Sequence, residues 1–146
     1  MRLGRGYIAG FLDGEGTITI ARASKANKYR SHLQVQICNT NRRILASIRS
    51  YFGYGCLRPP KTTRSRRHKP VWVLQWVGAQ AESVVRLVYP WLRVKRKQAQ
   101  VALVFRSTFS YRGPRGFRTV PYLVRRKRDA ALRNIRLLNF RGVLDA

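Results

Sequence analysis

Acidic side chains are scarce in this sequence: five Asp and Glu stand against 31 Lys and Arg, a formal charge of +26 over 146 residues. An isolated chain of that charge repels itself, whereas a polyanion neutralises it and gains by counterion release. Nucleic acid is therefore the first partner to expect and an anionic membrane the weaker one. Long apolar runs are also missing. None approaches the roughly 18 to 20 residues that span a bilayer, and the start shows no secretory-signal pattern. The expectation is a soluble, intracellular protein, in a bacterial or archaeal cytoplasm or an organelle. Cysteine is nearly absent, with only Cys38 and Cys56. Combined with His32 and His68 they match no zinc finger or ribbon spacing, which leaves ordinary thiols.

What is present is a foldable chain. With 45% apolar and 11% aromatic residues it can bury a core, and its length fits one domain over residues 1–146.

Most of the chain reads as alternating helices and hairpins. Residues 4–14 have helical periodicity through Tyr7, Ile8, Phe11 and Leu12. From Thr17 the period drops to two, with Ile18 and Ile20 inward and Thr17, Thr19 and Ala21 outward. A second strand at 32–38 alternates Leu33, Val35 and Ile37 with Gln34 and Gln36. Such a ribbon fits a DNA major groove, where Gln can pair bidentately with adenine; a merely wet outer face would look the same. Asn39 or Asn41 can cap a helix running to about Phe52. Short strands follow at 56–58 and 71–77, separated by a loop whose Arg64, Arg66 and Arg67 suit phosphate tracking. Further helices are expected through Ala81, Val84, Val85 and Val88, then through Val94, Val101, Ala102 and Phe105. The last one, after Pro121, has Val124, Ala131, Ile135 and Leu138 as its seam and Arg125 to Arg128 as a solvated or phosphate-facing cluster. Arg93, Lys95, Arg96 and Lys97 crowd the start of one helix, where cations oppose the macrodipole unless an anion is near. The fold class is α+β, in the order αββαββα followed by C-terminal helices.

One stretch needs a further reason. Tyr7 to Thr19, YIAGFLDGEGTIT, holds two of the five acids, Asp13 and Glu15, and three spaced glycines. Gly14 and Gly16 can simply end the helix, but Gly10 cannot, and an interior glycine costs about 1 kcal/mol relative to alanine. Gly10 and Gly14 fall on one helical face, where a second backbone could approach closely.

Ile8 to Gly16, IAGFLDGEG, resembles the nine-residue signature of the LAGLIDADG homing endonucleases, with changes at Ile8, Phe11, Gly14 and Glu15. The following element order is similar to that family's core over about residues 4–106, with 107–146 as a C-terminal extension whose Leu137 to Gly142, LLNFRG, also looks like a helix ending in relatives. One signature copy is similar to the homodimeric kind. The resemblance implies a β-ribbon saddle that binds double-stranded DNA. It further implies Mg²⁺-dependent hydrolysis of both strands of a long, nearly palindromic site, with short 3′ overhangs and Mn²⁺ able to substitute. It assigns Glu15 and the carbonyl of Gly14 to the metal, and Asp13 to a structural role. Ile8, Gly10, Phe11 and Gly14 go to the dimer contact, and Lys95 and Asn39 to the active-site periphery. DNA-contacting positions are then Thr19, Ala21, Gln34, Gln36, Arg58, Gln75 and Lys97, with the arm Arg64, Arg66 and Arg67. The chemistry is consistent, since Mg²⁺ takes one or two carboxylates and completes its shell with water and phosphate oxygens. The competing readings are a non-cleaving binder of the same fold, an intron maturase or a repressor, and a ribosomal-type RNA-binding protein.

Overall fold

The computed structural model describes residues 3–22, 31–60, 69–110 and 121–140. Arg64, Arg66 and Arg67 lie outside the described residues. The expected order is the observed one. Helix α1 spans Arg5–Glu15, strands β1 and β2 span Gly16–Arg22 and Ser31–Asn39, and α2 spans Arg42–Phe52. Strands β3, Cys56–Arg58, and β4, Trp72–Val77, lead into α3, Ala79–Val88, and a 3-10 turn at Tyr89–Trp91. Helix α4, Arg96–Ser107, a second 3-10 turn at Thr108–Ser110 and α5, Tyr122–Asn139, complete the order among the described residues.

The four strands form one antiparallel sheet in the order β1-β2-β4-β3. Alternation sorts each strand into two sets. Ile18, Ile20, Leu33, Val35, Ile37, Leu74 and Trp76 are buried and join the helices in one core with Ile8, Leu12, Leu45, Val85, Phe105 and Ile135. The intervening residues point the other way. Register aligns Thr17, Gln36, Gln75 and Cys56 in one row across the sheet, and Thr19, Gln34 and Val77 in the next. That second face is polar and half-buried where the first is apolar and dry.

The passage from α1 into β1 depends on Gly16. Its N–H bonds back to the Leu12 carbonyl, and a Cβ there would stand 2.2 Å from Leu12 Cδ1 and 2.6 Å from Leu12 O. Any side chain would push the helix end and the strand apart. Helix α2 begins on Asn41, whose Oδ1 accepts from the N–H groups of Arg43 and Ile44. It ends on Gly53 in the left-handed region, φ 77°.

Helix α5 is anchored at its last turn and again in its second turn. Asn139 Nδ2 donates to the carbonyl of Ile18 on the edge strand at 2.9 Å, and Gln98 Nε2 donates to Leu138 O at 3.2 Å. In the second turn Arg128 Nε donates to Thr108 Oγ1 at 2.9 Å, with the guanidinium 4.0 Å from the centre of the Phe109 ring. Arg128 is thus no member of a solvated cluster. Burial, and then the nearby Arg106, pulls its pKa below the ordinary arginine value. Two further expectations need correction. Val94 precedes α4 and is 72% exposed, so it is not on that helix's apolar stripe. The α5 seam includes Leu132, which is buried beside Ala131 and Ile135, while Val124 and Leu138 are only half-buried.

Candidate active site and nucleic-acid interface

The site is built where α1 gives way to the sheet. Glu15 is the last residue of α1 and is exposed. Among the described residues no donor or cation holds its carboxylate by a hydrogen bond or ion pair. Gly14, one residue before, is at a helix end whose last carbonyls lack intrahelical partners. A carboxylate and a main-chain carbonyl are hard oxygen donors of the kind Mg²⁺ prefers, so these residues fit a divalent cation. Among the described residues no group of three Asp, Glu, His or Cys side chains could hold a metal by itself. A divalent cation held here would take its further ligands from outside this set.

Asp13 is oriented differently. One carboxylate oxygen accepts from the backbone N–H of Arg93 at 2.8 Å and the other from that of Lys95 at 2.9 Å. In return the Lys95 ammonium donates to the main-chain carbonyl of Asp13. The end of α1 and the start of α4 are thereby locked together. This also answers the crowd of cations at the α4 N-terminus. Lys95 is its N-cap, without a side-chain cap of its own, and the Asp13 carboxylate supplies the anion there.

Asn39 is not brought to this place. Its Oδ1 accepts from the N–H of Asn41 at 2.8 Å, shaping the turn into α2. As the register partner of Trp72 it also lies on the helix side of the sheet, with Ile37 and Leu74. The residue beside Glu15 is instead Cys38. Gly16 pairs with Ile37, which sets Glu15 next to Cys38 at the start of the outer face. Burial raises the Cys38 thiol above its ordinary pKa, Arg58 pulls it down and Glu15 pushes it up. Cys38 thus lies within electrostatic reach of both. Sequence reasoning missed Cys38; strict alternation from Gln34 and Gln36 is the signal that could have found it.

The other positions separate cleanly. Thr19, Ala21, Gln34, Gln36, Gln75 and Arg58 all lie on the outer face of the sheet, and Gln34 Nε2 donates to Gln36 Oε1 at 3.0 Å. Lys97 is exposed in the first turn of α4. On α1, Gly10 and Gly14 are exposed, and Phe11 is half-buried with its ring stacked on Tyr7 at 6.0 Å. Ile8 is 1% exposed and packs into the chain's own core. It cannot belong to the open face, because it stands four residues before Leu12 on the buried side. Tyr7, 47% exposed, takes its place.

This arrangement joins an acid at a helix end, a polar β-face and a glycine-lined helix. The LAGLIDADG endonuclease model matches residues 8–93, more than half of the chain. The chain belongs to the LAGLIDADG endonuclease family, a class of DNA-cleaving enzymes. No curated protein sequence matches it. Among solved structures it is similar to the homing endonuclease I-CvuI in complex with its target in the presence of Ca, with 21% identity and a TM-score of 0.74 over 97% of this chain and 85% of that one. It is also similar to the archaeal intron-encoded homing endonuclease I-Vdi141I complexed with DNA, with 13% identity and a TM-score of 0.70 over 97% and 87%. The likeness to I-GzeII in complex with its DNA target has 17% identity and a TM-score of 0.68, and covers 97% of this chain but 46% of that one. At these identities the structures show a shared fold.

Proposed function

We propose that this chain is a homodimeric, Mg²⁺-dependent, site-specific DNA endonuclease that cuts both strands of a long, nearly palindromic duplex and leaves short 3′ overhangs. The observation that carries the reading is the placement of Glu15, an exposed carboxylate held by no described partner, at the edge of a sheet face lined with Thr and Gln in a chain of charge +26. A protein that only bound DNA would gain nothing from an unneutralised acid facing phosphates. The solved DNA complexes of I-CvuI, one with Ca and one with Mg, support a divalent cation and a duplex partner.

In this reading the outer face of the sheet enters the major groove. Gln34, Gln36 and Gln75 supply paired donors and acceptors, Thr19 and Ala21 meet thymine methyl groups, and Arg58 reaches guanine or phosphate. Lys97 and the arm of Arg64, Arg66 and Arg67 hold the flanking backbone. Glu15 and the Gly14 carbonyl would hold Mg²⁺, or Mn²⁺ in its place. The chemistry supplied by that ion when bound is activation of a water and stabilisation of the departing oxygen. Lys95 places a cation where negative charge grows on the phosphate. A second copy, joined through Tyr7, Gly10, Phe11 and Gly14, brings a second Glu15 to the other strand.

Selection of cleaved molecules from a randomised duplex library tests this, with Mg²⁺ in one arm and Ca²⁺ as the non-supporting ion in the other. Enrichment of one near-palindromic site in the Mg²⁺ arm is the expected result. Retention of a site without cleavage in Mg²⁺ or Mn²⁺ would replace the reading by the non-cleaving binder.

A further inference from the structure

We infer that Asp13 is a positioning residue for Lys95, and that it acts on the cleavage step through Lys95 instead of only holding the fold together. The inference rests on the proposed reading of Glu15 and Lys95 as the groups around the phosphate. Three contacts carry it. One carboxylate accepts two backbone N–H bonds, from Arg93 at 2.8 Å and Lys95 at 2.9 Å, so it fixes the chain on both sides of Val94. The Lys95 ammonium then folds back onto the Asp13 carbonyl, at the C-terminal end of α1 and two residues from Glu15. Both exchanges are favourable on their own. An anion sits at the N-terminus of α4 and a cation at the C-terminus of α1, each complementing a helix dipole.

The consequence is geometric. Residues 92–95 form no helix or strand in this structure, and Val94 between the two bonded amides is largely exposed and gives no packing anchor. The Lys95 main chain, and hence the reach of its ammonium at the end of α1, is held on one side by buried Leu92, through its carbonyl by the Ala99 N–H at 3.0 Å, and at its own amide and that of Arg93 by a carboxylate 82 and 80 residues away in the sequence. Two acids of one short motif divide the work: Glu15 faces outward to the reacting groups and Asp13 faces inward to hold the cation that assists.

The substitution Asp13→Asn keeps size and one carbonyl acceptor but replaces the other acceptor with a donor, so one of the two amides loses its partner. Single-turnover cleavage at saturating protein would be compared for wild type, Asp13→Asn, Lys95→Met and the double variant, with DNA binding measured in Ca²⁺ and amide exchange at residues 93 and 95. Each single change is expected to slow cleavage about 10- to 100-fold, the range for supporting partners of a reactive site. The double variant should be no slower than the slower single one. Binding in Ca²⁺ should hold, and exchange at residues 93 and 95 should quicken in Asp13→Asn. Wild-type cleavage by Asp13→Asn, or losses that multiply in the double variant, would overturn the inference. Wild-type cleavage by Lys95→Met would overturn it as well, while leaving the Glu15 reading intact. If Asp13→Asn does not fold, Arg93→Pro against Arg93→Ala makes the same test, since the preceding Leu92 at φ −65°, ψ 137° tolerates a following proline. Arg93→Pro, which lacks the donated N–H, must then cut more slowly than Arg93→Ala; equal rates would refute the role.

Discussion

Gly10 and Gly14 stand one helical turn apart on the exposed face of α1, and among the described residues a Cβ built on either meets nothing within 4 Å beyond its own helix backbone and chain neighbours. No contact among the described residues requires glycine there, although Gly10, in the helix interior, costs about 1 kcal/mol relative to alanine. The requirement is met if a second α1 lies against this face.

If two copies pair through α1 as proposed, Gly10→Leu should break that pairing while leaving each chain folded, because among the described residues the added side chain meets nothing outside its own helix. Helicity should be retained or slightly raised. Sedimentation measures the outcome directly, and an intact dimer of the variant would exclude α1 as the contact.

Gln75 lies across the strand pair from Gln36, and that row continues to Thr17 and Cys56. Gln75→Ala should relax discrimination at one base pair per half-site by about 1–3 kcal/mol, the worth of a bidentate base contact. Binding to a panel of single-base variants of the selected site checks this. An equal loss across all variants would mark Gln75 as a backbone contact or a packing residue.

Glu82 joins α3 to α4. It accepts from Arg106 Nε at 2.8 Å and from Arg86 Nη2 at 2.9 Å. The hydrogen bond from Arg106 is the main cause that holds its pKa below the ordinary 4.5, with Arg86 adding to it against a smaller desolvation effect. A depressed folded-state pKa means that the stabilisation is fully present above the unfolded value and is lost as pH falls through the folded one. Glu82→Gln should therefore cost about 1–2 kcal/mol at neutral pH, discounted for partial exposure. It should also flatten the acid limb of a urea-unfolding series. An unchanged acid limb would show that other carboxylates control it.

The fold was largely readable because its signals are periodic. Ile18 and Ile20 against Thr17 and Thr19, and Leu33, Val35 and Ile37 against Gln34 and Gln36, specify strands and their buried face, and α2 runs from Asn41, one of the two expected caps, to Phe52 as expected. The site was readable in part, since the order of Asp13, Gly14 and Glu15 pointed to a helix end followed by a strand. What failed depended on contacts far apart in sequence. Arg128 read as one of four similar cations, yet Thr108 and Phe109 draw it out of solvent. Asn39 stood at a strand end where one residue of register separates the helix side from the outer face, and Cys38 took the outer position. Ile8 and Tyr7 are neighbours whose choice of face depends on where the sheet lies. The interlock of Asp13 with the amides of Arg93 and Lys95 spans more than half of the chain, and no local pattern encodes it.

The account turns on Glu15, and metal-dependent cleavage by Glu15→Gln tests it most directly. The amide keeps the shape of the side chain and removes its charge. Binding to the selected duplex in Ca²⁺ should persist, and cleavage in Mg²⁺ should fall by about 10³-fold or more, as expected when several kcal/mol of transition-state stabilisation are withdrawn. A Glu15→Gln protein that cuts at the wild-type rate would contradict the account.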